Sequence, residues 1–133
     1  MKKEILTSDL LETASKSIVI YSTHFNKELY FNSHTLKIIK FKLQSSVNIT
    51  MYYEKNDIEN VLAVIKKDIP SFDYKKLSPA KKFNMKVQDF TIIDDRMLII
   101  YDDQNKNLIS TISKEKDDIR VVKNVLDFLV KKS

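Results

Sequence analysis

A chain of 133 residues with no glycine at all lacks the residue that ordinarily makes the tightest backbone geometry. Phosphate-cradling loops and dinucleotide-binding turns need glycine for close backbone approach, so both are excluded. The turns that the sequence does offer, Asp94-Asp95 and Asp102-Asp103-Gln104-Asn105, rely on Asp and Asn side chains instead. Cysteine is also absent, which removes disulfide scaffolds, thiolate metal sites and cysteine nucleophiles. Two histidines are too few for a His-rich metal site. The remaining composition, 43% hydrophobic and 31% charged, is that of a folded chain, and the length suits one domain spanning 1–133.

The net charge of +5 is compatible with an anionic partner without requiring one. The longest apolar runs, such as Ile18-Val19-Ile20-Tyr21 and Met97-Leu98-Ile99-Ile100-Tyr101, fall far short of the roughly 20 residues needed to cross a bilayer. Met1-Lys2-Lys3-Glu4 is basic but has no apolar core behind it, so no secretory signal is expected. A cytoplasmic protein without a membrane partner is the expectation.

Hydrophobic spacing predicts a short helix over 8–17, followed almost directly by a strand, 17–22, apolar on both faces. A helix over 32–45 has Leu36, Ile39 and Leu43 on one face, and an alternating strand occupies 47–53. Asn56 caps the next helix, whose stripe is Ile58, Val61, Leu62 and Ile65 and which Pro70 ends. An irregular stretch over 71–83 leads into three strands, 86–93, 97–101 and 107–112. A final helix over 113–131 has the stripe Ile119, Val122, Leu126 and Leu129. A helical crossover between the first two strands implies parallel neighbours, and helices must cover both faces. The expected architecture is a three-layer α/β/α sandwich on a mixed, largely parallel sheet.

The segments Leu10 to Ser22, Leu43 to Tyr52 and Phe90-Thr91-Ile92-Ile93-Asp94-Asp95 occur in this order. Together they resemble the first helix and strand, the second strand and the signature strand of one half of the phospholipase D fold. Active members carry a His that attacks a phosphodiester, a Lys two residues later that binds the phosphate, and an Asp five residues further on. Aligned on Asp94, this chain has Val87 in place of the His and Asp89 in place of the Lys, and the following Gly-Ser is missing. Valine cannot attack phosphorus and an aspartate repels phosphate. The resemblance therefore implies a degenerate, non-catalytic half-domain with no cofactor and no catalytic residue, and residual phosphodiesterase or nuclease activity is the minor alternative.

Between Phe72 and Lys86 lie Lys75, Lys76, Lys81, Lys82 and Lys86 against Asp73, which concentrates +4 of the chain's +5 in one stretch. Phe72, Tyr74 and Phe83 interleave with them, as on surfaces that hold nucleic acid. A solvated loop with its aromatics packed inward explains the same residues. In the resembled fold this stretch leads to the cleft where active relatives bind phosphodiesters. DNA or RNA is the candidate partner, through these five lysines.

The strand tips offer a second candidate, a small-molecule pocket formed by His24, Phe25, Tyr52, Tyr53 and Asp94, because ligands of open α/β sheets gather at strand carboxyl ends. The resembled family includes non-catalytic effector-binding domains of transcription regulators. Asp94-Asp95 with Asp102-Asp103 could supply oxygen ligands to a divalent cation, although turn formation explains them equally well. His24 and His34, ten residues apart, fit no common ligand spacing. Halves of the resembled family pair across a pseudo-twofold, so a homodimer is expected. A protein-interaction or dimerisation module with no nucleic-acid contact is the alternative reading.

Overall fold

The two-sided apolar run of 18–21 lies in the centre of a sheet, where its composition requires it to be. The computed structural model describes residues 10–23, 33–55, 59–104 and 107–133. Strand β1 (Ser17–Ser22) pairs in parallel with β2 (Asn48–Tyr53) and antiparallel with β4 (Phe90–Ile93). β3 (Asp73–Lys76), β5 (Met97–Gln104) and β6 (Asn107–Ser113) complete a six-stranded sheet in the order β3-β2-β1-β4-β5-β6.

One face of the sheet, with Ile18, Ile20, Ile49 and Met51, packs on α1 (Ser33–Gln44) through Ile38, Ile39 and Leu43. The same face meets α2 (Glu59–Asp68) through Leu62 and Ile65. The other face, with Tyr21, Phe90, Ile92 and Leu98, packs on α3 (Lys116–Lys132) through Ile119, Leu126 and Leu129. Each such side chain stabilises the fold by about 1.5–3 kcal/mol on burial. Two cores on opposite faces make the expected three-layer sandwich.

The sheet is mixed, and the parallel part is narrower than its composition suggests. Four strands run in one direction, but pairing is parallel only across β1, β2 and β3; β4, β5 and β6 form an antiparallel meander. β3 lies inside the stretch expected to be irregular. The signature strand is shorter than expected, beginning at Phe90 rather than Lys86. The first helix, seen at 10–12, ends before Ala14 rather than at Ser17. Asn56, the expected cap of α2, lies outside the described residues.

Without glycine, four of the described residues take left-handed backbone angles: Ser46 (φ 68°), Asn84 (φ 57°), Asp94 (φ 55°) and Asp95 (φ 54°). Ser46 closes α1, with its N–H donating to the Leu43 carbonyl and Val47 N–H to the Lys42 carbonyl at 3.0 Å, a role usually given to glycine. Asp94 and Asp95 turn β4 into β5, with Arg96 N–H donating to the Ile93 carbonyl at 3.0 Å. Asp and Asn tolerate this region better than most residues because their short polar side chains bond locally.

Candidate nucleic-acid interface

Parallel register brings the carboxyl ends of β1, β2 and β3 to one edge, with Ser22 opposite Tyr53 and Tyr53 opposite Lys76. Past β3, Leu77 N–H donates to the Tyr53 carbonyl at 2.8 Å. The chain then makes a 3-10 turn over Ala80–Phe83. Glu54, just beyond β2, holds this turn down: its Oε2 accepts from Ala80 N–H at 3.1 Å and from the Tyr21 hydroxyl. Burial, reinforced by the Glu54 and Asp89 carboxylates, raises the Tyr21 pKa well above the ordinary phenol value, so it stays a donor.

The same turn recruits the end of α3. Phe83 packs edge-on against Phe128 with ring centroids 5.7 Å apart, and Ser78 N–H donates to the Ser133 hydroxyl at 2.9 Å. Lys131 and Lys132, exposed at the end of α3, therefore join Lys75 and Lys76 on β3, Lys81 and Lys82 on the turn, and Lys86 beyond it. All seven are exposed. Asp73, the acid within the stretch, faces Lys66 on α2 at 3.6 Å, while Asp127 on α3 is an exposed acid close to the basic surface. Lys131 and Lys132 escape a reading of sequence because they lie some fifty residues from the other five. The signal was the favourable placing of cations at a helix end next to Phe128.

The aromatic residues between the lysines are engaged in packing. Phe72 is buried and stacks on Tyr74 at 5.9 Å, and Phe83 rests on α3. The lysines thus offer charge without free rings for base stacking.

Three of the five residues expected to form a small-molecule pocket do not come together. Tyr53 is buried on the α1–α2 side, donates to Glu59 Oε1 at 2.9 Å, and has its pKa pushed up to about 12 by burial and that carboxylate. Tyr52, its neighbour in a strand, belongs to the opposite face, and burial followed by Asp127 and Asp73 raises its pKa. Asp94 stands at the far end of the sheet, because β4 runs antiparallel to β1 and ends beside Ser17. His24 and Phe25 lie outside the described residues, and His34 is exposed near the start of α1. The Asp94-Asp95 and Asp102-Asp103 pairs are at opposite ends of β5, so they do not converge on a cation.

At the positions aligned with the catalytic pair, Val87 is half-buried in the α3-side core. Asp89 is bonded to the tip of β1, accepting from Thr23 N–H at 2.7 Å, the Thr23 hydroxyl at 2.5 Å and the Ser22 hydroxyl at 3.1 Å. Asp94 accepts from the amides of Lys16 at 2.7 Å, Ser17 at 3.0 Å and Ser15 at 3.0 Å. Burial alone would raise its pKa, but these backbone donors and the Ser15 hydroxyl outweigh it and hold the carboxyl below its usual range.

The structure is similar to that of Nuc, a phospholipase D family member from Salmonella typhimurium, with a TM-score of 0.70 over 96% of this chain and 86% of that one, at 11% identity. The fold is phospholipase D-like. The archaeal chromatin protein TrmBL2, whose structure shows a novel mode of DNA binding, is similar over 98% of this chain with a TM-score of 0.67 and 13% identity. Polyphosphate kinase from Porphyromonas gingivalis matches over 98% of the chain with a TM-score of 0.60 and 14% identity. This chain spans 49% of TrmBL2 and 24% of the kinase. No protein-family model and no curated protein sequence matches it. Among the described residues no helix is long and apolar enough to cross a membrane.

Proposed function

We propose that this phospholipase D-like chain is a non-catalytic module of a nucleic-acid system that holds DNA or RNA on the lysines at the carboxyl end of its parallel strands. The observation that carries this reading is the convergence of seven exposed lysines from β3, the 3-10 turn, the stretch just beyond it and the end of α3. Glu54 and the Phe83–Phe128 contact fix the turn relative to the sheet and α3, so the charges form a held surface. Spread over a strand edge, a turn and a helix end, they suit the repeated phosphates of a polymer. The DNA-binding chromatin protein that shares the fold supports the same reading.

Phosphodiester cleavage is not part of the proposal. Asp89, where a phosphate-binding Lys would be, carries the wrong charge and is engaged by Ser22 and Thr23, while Val87 has no nucleophile. A homodimer is also expected from the phospholipase D resemblance. Light scattering should then give about 31 kDa, twice the 15.6 kDa of one chain.

The test is Lys75→Gln, Lys76→Gln, Lys81→Gln and Lys82→Gln together. The fold should survive, because these side chains are exposed, and affinity for a generic duplex or single strand should fall about 100-fold or more at low salt. Unchanged binding by the folded variant would remove the lysine surface as the site. Turnover of bis-p-nitrophenyl phosphate above background would overturn the non-catalytic part.

A further inference from the structure

The opposite end of the sheet holds a cavity of about 410 Å³ between the β4–β5 turn and the start of α3. Its cationic wall is Arg96, Lys114 and Lys116, and its apolar wall is Ile93, Met97 and Ile119. The two acids that also line it are both occupied. Asp94 has both carboxylate oxygens committed to residues 15–17, and Asp95 is paired with Lys123 at 3.0 Å. At the start of α3, Asp117 is paired with Arg120 at 2.8 Å and Asp118 accepts from the Ser113 hydroxyl at 2.6 Å; neither lines the cavity. The side chains of Arg96, Lys114 and Lys116 have no hydrogen-bond or ion-pair partner among the described residues.

Three cations without a partner around one concavity repel one another. A bound anion removes that repulsion and gains attraction from all three. The size is within the roughly 300–1,000 Å³ of small-ligand pockets, which are apolar with a few convergent polar groups. We infer that this cavity binds a small organic dianion, its charged group against Arg96, Lys114 and Lys116 and a compact apolar body against Ile93, Met97 and Ile119. This inference stands apart from the lysine surface, since the two lie at opposite ends of β1.

The test uses phenyl phosphate and inorganic phosphate as probes, titrated into the full ¹⁵N-labelled chain. Phenyl phosphate should give saturable amide shifts confined to 95–97 and 114–119, and should bind about 10-fold or more tightly than inorganic phosphate because its ring leaves water. Arg96→Gln with Lys114→Gln and Lys116→Gln should weaken binding by about 10-fold or more, with thermal unfolding unchanged or improved. Single Lys114→Gln and Lys116→Gln variants, each expected to bind a few-fold more weakly, keep the test decisive should the triple variant not fold. The quadruple lysine variant of the other end should bind phenyl phosphate as the parent does. Absence of saturable shifts up to about 10 mM probe, or equal losses in both variants, would overturn the inference.

Discussion

The two ends of the sheet are both basic, yet they arrange charge in opposite ways. At the carboxyl end of β1 seven lysines stand on an outward surface over a framework of carboxylates: Glu54 holds the 3-10 turn and Asp89 holds the β1 tip. At the other end three cations line a cavity, and the carboxylates that share it are engaged by backbone amides and by Lys123. An exposed array suits a long polyanion, and a cavity suits a small ion. Net charge alone, +5 for the whole chain, distinguishes neither.

Salt should separate the two ends most sharply. With about four phosphates contacted, duplex affinity at the lysine end should fall about 100-fold between roughly 50 and 200 mM salt, because counterion release scales with the number of contacts. Phenyl phosphate binding at the cavity should fall only a few-fold over the same range. Steep dependence for both would mean that the cavity is not a separate site.

The next largest effect belongs to Asp94. Asp94→Asn replaces a carboxylate that accepts from three amides with an amide whose nitrogen faces donors, and should cost about 2–3 kcal/mol in denaturant unfolding. A carboxyl held below its usual range contributes stability that is present above about pH 4 and is lost as pH falls further. The parent should therefore lose stability on acidification below that range more steeply than Asp94→Asn does. Equal acid limbs would show that the amides around Asp94 are not what lowers it.

Smaller still, Phe83→Ala should cost about 1–2 kcal/mol from lost burial and ring contact. It should also weaken nucleic-acid binding several-fold, by releasing Lys81 and Lys82 from their placement beside Lys131 and Lys132, and leave the cavity untouched. The smallest effect should come from Asp95→Asn. Asparagine keeps the left-handed turn but frees Lys123 to act as a fourth cation near the cavity, so phenyl phosphate should bind about 2–5-fold more tightly. Weaker binding in that variant would mean that Asp95 helps hold the ligand.

How much of this was legible in the sequence depended on whether a residue's partner was local. The stripes of α1 and α3 and the alternation of β2 follow from contacts with one neighbouring layer, and all three elements fall within a few residues of expectation. β3 was hidden because Asp73, Lys75 and Lys76 are exposed and Tyr74 alone of the four packs inward; an edge strand needs only one apolar anchor. The first helix ends early because residues 15–17 give their amides to Asp94, which no local pattern reveals. The lysine stretch was visible as composition, whereas Lys131 and Lys132 joined it only through Phe83 and Phe128. The cavity was invisible, since Arg96, Lys114 and Lys116 come together only when the meander folds against α3.

The central place of β1 also has a kinetic meaning. Ile18 pairs with Ile49 on one side and with Ile93 on the other, and the Ser15–Asp94 contact joins residues 79 positions apart. Contacts of that span close late, since the chain must lose loop entropy before they return any stability. The β4–β5–β6 meander and the three helices rest on shorter spans and can form first. Asp94→Asn should then leave the refolding rate nearly unaltered and express most of its effect as faster unfolding, the behaviour of a latch fastened after the transition state has passed.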